Sequence, residues 1–342
     1  MPDPIRSHWR NGEWDLARAS AENLLHEAGF RQRDGAWEGP ARPEAAGWLT
    51  LLARVDVRLG RPKSALAAAQ AARAAAPDPG WETAVAEGEA WLAVGEPFRA
   101  REGLSLALTR QEGPHAQVQL AIALADASRA AGHAEEAVAT ALHALTWAEH
   151  AMDALADDGD AAEATTDLAD ALHGLGQCRH AAGQEHEARR DLERARDLRL
   201  KVDPHHPDVA ATLDTLGAVA RARGKPFEAV KLHREAIALW IARLGEDAGP
   251  VSGSRQALAQ ALHRTGDFVG AHAEMARAAA ATARTLGEDH VDTWIARFEL
   301  GRFELDTGLV AEGLGRMAEA RGVVRDRLGA DHPVVKAMGR WL

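Results

Sequence analysis

Residues 213–240 read LDTLGAVARARGKPFEAVKLHREAIALW. Gly217 lies seven residues before Gly224, Ala229 lies five residues past Gly224, and Ala236 lies twelve past it. Each spacing has a steric reason. Gly224 suits the left-handed residue that ends a helix. A small residue at 217 lets a second helix cross the first closely. Ala229 and Ala236, two turns apart on that second helix, share one face and let the first helix pack down. Leu216, just before the small position, fills the contact.

The pattern recurs along the chain. Glycine followed five residues later by a small residue occurs at Gly12/Ala17, Gly60/Ala65, Gly95/Ala100, Gly132/Ala137, Gly183/Ala188, Gly224/Ala229, Gly266/Ala271 and Gly308/Gly313. Twelve past each glycine stand Leu24, Ala72, Ala107, Ala144, Ala195, Ala236, Ala278 and Ala320. Seven before the last seven glycines stand Ala53, Gly88, Ala125, Gly176, Gly217, Ala259 and Gly301, all small. Internal self-similarity at this spacing identifies a stack of helix pairs. Repeat 1 is degenerate, since Pro4 and Ile5 occupy the Leu-Gly position.

Composition agrees. Apolar residues make up 46% of the 342 and charged residues 27%, which fits a structured chain. Alanine, the best helix former, dominates long stretches, and Tyr is absent. The net charge of −11 argues against general nucleic-acid binding, which needs a basic face. One cysteine, Cys178, cannot build an intrachain disulfide framework. No signal-peptide pattern and no apolar run of spanning length is visible, so the expected location is cytoplasmic, with no membrane partner.

The Leu-Gly, turn glycine and paired alanines resemble the tetratricopeptide repeat, over nearly the whole chain. The resemblance implies an all-α, right-handed superhelical solenoid of antiparallel helix pairs, about sixteen helices and no sheet. The large aromatic usual in the first helix is mostly missing; Trp91 is the only match. Early turn glycines are 35 and 37 apart, late ones 42 apart. The late period is shared by Val202, Leu244, Leu286 and Leu328, which open segments such as Leu328-Gly329-Ala330-Asp331-His332-Pro333. This form is similar to the loop of kinesin light chain-like repeats, in which the second helix runs about two turns longer. The expected organisation is a degenerate repeat and loop at 1–43, repeats of near-standard length at 44–157, kinesin light chain-like repeats at 158–332 and a capping helix at 333–342. Residues 31–43 read as a loop, and Asp153–Thr166 as an exposed acidic insertion holding Asp157, Asp158 and Asp160. Val334, Val335, Met338 and Trp341 are expected to cover the open face of the last repeat.

Catalytic signatures are missing from this frame. Gly-x-Ser-x-Gly, a phosphate-binding loop, His-Glu-x-x-His and a calcium loop are all absent from the sequence. The pairs His143/His150 and His173/His180 each share a helix face, without a third ligand at a metal-binding spacing. No metal or other cofactor is expected, and Cys178 reads as a small buried group.

In the resembling family the first helices line the concave face. Counting the turn glycine as position fifteen, positions two, five, nine, twelve and thirteen face inward. Carried onto this sequence, they place Arg129, His173, Gln177, His180, Asp214, Arg221, Gln256, Gln260, His263, Arg264, Phe298 and Arg302 on a candidate partner-binding surface. Arginine suits carboxylate capture and glutamine suits a peptide backbone. The expected function is a non-catalytic scaffold that holds a partner peptide or helix, an acidic one among the candidates. The alternative is a peptide-sensing regulator of a separate signalling enzyme.

Overall fold

The computed structural model describes residues 4–33, 35–40, 42–76, 80–110, 113–154 and 161–342. The described residues form two compact units, Met1–Thr212 and Leu213–Leu342. The first begins with α1 (Pro4–Arg10) and α2 (Trp14–Glu27), then the strands β1 (Arg31–Arg33) and β2 (Ala36–Glu38). It continues with α3 (Pro43–Arg58), α4 (Pro62–Ala75), α5 (Trp81–Ala93), α6 (Pro97–Leu108), α7 (Pro114–Ala130), α8 (Ala134–Ala154), α9 (Ala161–Ala181) and α10 (Glu185–Val202). The division falls within α11 (Pro207–Ala222). The second unit then has α12 (Pro226–Leu244), α13 (Gly249–Thr265), α14 (Phe268–Leu286), α15 (Val291–Asp306), α16 (Val310–Leu328) and α17 (Pro333–Met338).

The turn between paired helices closes in one way throughout. All eight turn glycines have positive φ, from 69° at Gly12 to 86° at Gly308. The amide after each bonds back five residues, as Arg61 to the Asp56 carbonyl at 2.7 Å and Lys225 to that of Ala220 at 2.9 Å. This is the closure that a left-handed C′ residue permits. The small positions also work as expected. A Cβ added to Gly88, Gly176 or Gly217 would come within 2.6 Å of Leu104, 2.5 Å of Leu192 and 2.6 Å of His233. Ala195, Ala236 and Ala278 on the second helices are fully buried.

In the first unit, α3, α5, α7 and α9 each pack on the next as well as on their own partners, whereas α4, α6, α8 and α10 make no comparable contact with one another. The first helices therefore line the inside of the curve, and the second helices stand outside. Buried leucine and alanine weld the layers: Leu104, Leu120 and Leu124 form one cluster, and Val118, Leu168 and Leu172 form another. Cys178 is buried beside Ala125 and Leu175. In the second unit, α12 to α16 pack in sequence, with cores at Leu258, Met275 and Phe303 and at Phe298, Met317 and Met338.

Three expectations need correction. Residues 31–43 are not all loop: β1 and β2 pair antiparallel, Arg31 with Glu38 and Arg33 with Ala36, and Trp37 is buried there. The hairpin forms because Gly35, with φ at 85°, lets the chain reverse and carry Trp37 inward, where it meets His26. The stretch 153–166 is also largely helix, because α8 continues to Ala154 and α9 starts at Ala161. Ala164 is buried, so this stretch is not exposed throughout. Asp157, Asp158 and Asp160 lie outside the described residues. The capping is partial: Val335 and Met338 bury themselves against Phe298 and Met317, whereas Trp341 stays 54% exposed.

Candidate functional site

The inside of the first unit is built from charged side chains at the inward positions of its first helices. Arg54 and Arg58 come from α3, Glu89 from α5, Asp126 and Arg129 from α7, and Asp170 and His173 from α9. Arg199 from α10 and Asp208 from the start of α11 complete the set. Three cations are engaged. Arg54 donates to Glu89 at 3.3 Å, Arg129 to Asp126 at 3.0 Å and Arg199 to Asp170 at 2.6 Å. Arg58 lies 3.8 Å from Asp208, although the two are far apart in sequence. The curve is thus tight enough for opposite ends of its lining to meet.

Burial dominates the electrostatics. It pushes the carboxyls of Asp126 and Asp170 above the usual range, more than Arg129 and Arg199 pull them down. Burial also pushes Asp208 up, but His206, Arg199 and Arg58 outweigh it and hold that carboxylate low. For Arg58 burial works downward, and Asp208, Glu89, Asp170 and Asp126 overcome it, so the guanidinium stays charged. His173 is held well below its ordinary value, first by burial and then by Arg199. Its ring is neutral near pH 7. Its Nδ1 is buried with no hydrogen-bond partner. Gln177 is one turn further along the same face of α9, half-buried and without a partner among the described residues.

The remaining residues read from the sequence divide into engaged and free. His180 pairs with Glu185 at 2.7 Å. His263 pairs with Asp306 at 3.0 Å and lies edge-on to Phe268 and Phe303. Arg302 donates to Glu299 at 2.6 Å, and its guanidinium sits 3.8 Å over the Trp341 ring. Gln256, Gln260 and Arg264 have no partner among the described residues, and Arg221 has a buried Nε with none.

Two assignments do not survive. Phe298 is 2% exposed and packs under α17, so the capping helix removes it from any open surface. Asp214 is spent internally. It accepts from His233 Nδ1 at 2.9 Å and from Trp240 Nε1 at 3.0 Å, and also from Ser254. Its carboxylate serves the core because His233, at a crossing that is apolar in the other repeats, needs a partner.

The sequence reading missed Arg54, Arg58 and Glu89. They occupy inward positions thirteen and nine of repeats 2 and 3, so extending the same register two repeats earlier finds them. Charge is also unevenly shared. Residues 213–342 hold 18 Lys/Arg and 17 Asp/Glu, and residues 1–212 hold 22 and 34. The excess negative charge therefore belongs to the unit with the charged lining. No three His, Cys, Asp or Glu side chains among the described residues are placed to hold a metal ion.

Two family models described as tetratricopeptide repeat match residues 167–242 and 251–292. With the glycine closures and helix pairs above, these matches identify the repeat type. The chain carries tetratricopeptide repeats. Its longer tetratricopeptide repeats are similar to those of kinesin light chains. A putative kinesin light chain with nearly identical repeats, from Podospora anserina, superposes with a TM-score of 0.53 at 21% identity, over 64% of this chain and 99% of that one. The Cut9-Hcn1 hetero-tetramer of APC/C gives 0.64 at 13% identity, over 98% and 54%. A Rap protein complexed with competence and sporulation factor gives 0.55 at 11%, over 88% and 87%. These likenesses show the fold of the tetratricopeptide array. No curated protein matches the sequence.

Proposed function

We propose that this protein is a non-catalytic scaffold whose first unit holds a segment of a partner protein, as an extended peptide or a helix, against the inner faces of α3, α5, α7 and α9. The observation that carries the reading is the pair His173 and Gln177. Both face inward from α9, both keep unspent hydrogen-bonding capacity, and both are uncharged, which suits the amide groups of a peptide backbone. A buried polar atom left without a partner is costly, so a ligand that supplies one gains affinity there. In the second unit, Arg221, Gln256, Gln260 and Arg264 are the residues free to contribute.

The test is affinity capture of partners by the wild-type chain and by a His173→Ala/Gln177→Ala variant, run side by side. A partner retained by the first and lost by the second supports the reading. A partner retained equally by both places binding elsewhere on the protein.

A second reading, a peptide-sensing regulator of a separate enzyme, is favoured by the contact between Arg58 and Asp208. A ligand that parts them changes the curvature of the first unit. The Rap protein noted above is recorded with a factor bound, which is a precedent for such a fold carrying a ligand. A change in the scattering radius on adding a captured partner peptide favours the regulator; an unchanged radius favours the scaffold.

A further inference from the structure

The Arg58 guanidinium has more hydrogen-bonding capacity than the protein uses. It sits 5.8 Å from the ring centre of Trp9 and 5.9 Å from that of Trp14. Its nearest carboxylate, Asp208, is 3.8 Å away, an ion pair but too long for a hydrogen bond. No other partner is found for it among the described residues. Five donors in a fixed fork are therefore held in place by aromatic rings and left unspent. Asp208, on the facing wall, is the other half of this loose pair and also lies 3.3 Å from His206 Nδ1.

The surroundings limit what can use those donors. Asp126 and Asp170 lie close enough to act on Arg58, and burial leaves both short of full compensation. A purely acidic ligand would bring further negative charge to these carboxylates and to Asp208. A purely basic ligand would meet Arg58. A ligand with one group of each sign satisfies both walls and adds no net charge.

We propose that the lining of the first unit selects a peptide segment with an acidic and a basic side chain side by side, its carboxylate taking Arg58 and its cation taking Asp208. The inference rests on the groove reading above and narrows its ligand class. One loose pair inside the protein is exchanged for two charge-assisted contacts with the ligand.

The probes are an alternating Glu-Lys hexapeptide, hexaglutamate and hexalysine, each titrated into the full chain by calorimetry at low ionic strength. The variants are Arg58→Ala, Asp208→Asn and the charge-swapped Arg58→Glu/Asp208→Arg, with folding checked by circular dichroism. If Arg58→Ala does not fold, Arg58→Lys replaces it, keeping the charge but losing the fork. The alternating peptide is expected to bind best. Each single variant is expected to weaken it about tenfold, the scale of one charge-assisted bond, and the swap to recover most of that loss. Hexaglutamate binding as tightly, with loss on Arg58→Ala, overturns the charge-pair requirement and leaves the groove reading standing. Hexalysine binding best, with loss on Asp208→Asn, does the same. Failure of all three peptides to bind overturns the inference. Alternating-peptide binding unchanged in every variant, and also in His173→Ala/Gln177→Ala, overturns the inference and the groove reading together.

Discussion

His233 sits where the other repeats carry Ala21, Ala69, Leu104, Ala141, Leu192, Met275 and Met317, nine residues past the turn glycine. It is 1% exposed, and its ring presses against Gly217. Only a residue with no Cβ fits beneath it. Gly217→Ala should lower stability by roughly 1–3 kcal/mol through overpacking, read as a drop in the denaturant midpoint. An unchanged midpoint would contradict the crossing. Asp214→Ala removes the carboxylate that His233, Trp240 and Ser254 share, leaving the buried His233 Nδ1 without its acceptor, and should cost more than Gly217→Ala. The small residue at 217 was legible in the sequence because close crossing is a strict steric demand. The role of Asp214 was not. An inward register position does not reveal that the neighbouring helix carries a histidine in need of a carboxylate.

At the scale of the element, helix starts and corners carry the next predictions. His206, His290 and His332 each stand just before a first helix, and the ring Nδ1 of each accepts from the backbone amide two residues on, at 3.2, 3.2 and 3.3 Å. They act as N-caps, which gives these loop histidines a structural purpose. His290→Ala should cost about 0.5–2 kcal/mol, visible as earlier melting. The corner where α7 meets α9 and α5 is held differently. His115 bonds Asp167 at 2.6 Å, with Glu163 at 3.8 Å and the Trp81 ring at 5.0 Å. The bond to Asp167 raises the histidine above its ordinary value against the downward pull of burial, with Asp167, Glu163 and Glu82 adding attraction. A raised folded value means that the contribution is complete below the unfolded value, near pH 6.5, and fades as pH climbs through the folded one. Protection from amide exchange in the first turns of α9, taken relative to the intrinsic rate at each pH, should therefore be greatest under mildly acidic conditions and lose that dependence in His115→Gln. His173 has the opposite sign. Its depressed value makes its contribution complete above about pH 6.5 and erodes it as pH falls below that. Helix boundaries at glycine turns were readable, whereas the hairpin was not. The strand residues Arg31, Gln32 and Arg33 are all exposed and show no alternation, and only Trp37 is buried.

For the molecule as a whole, the repeat spacing made the fold readable from end to end, because each repeat obeys the same local steric rule. The lining was readable only as a register. Which of its charges are spent depends on distances between helices far apart in sequence, and those emerge only from the curvature of the first unit. Of the inward residues read from the sequence, Arg129, His180 and His263 each face a carboxylate, Asp126, Glu185 and Asp306, whereas Arg221 has no partner among the described residues. What remains open for a partner in the first unit is the neutral pair His173 and Gln177 and the loosely held Arg58. The most direct test places a photo-crosslinking residue at Gln177, and in a separate protein at Arg194, exposed on the second helix of the same repeat. Each is expressed in the native cell and irradiated. The account predicts a partner adduct from position 177 and none from position 194; an adduct from 194 with none from 177 would contradict it.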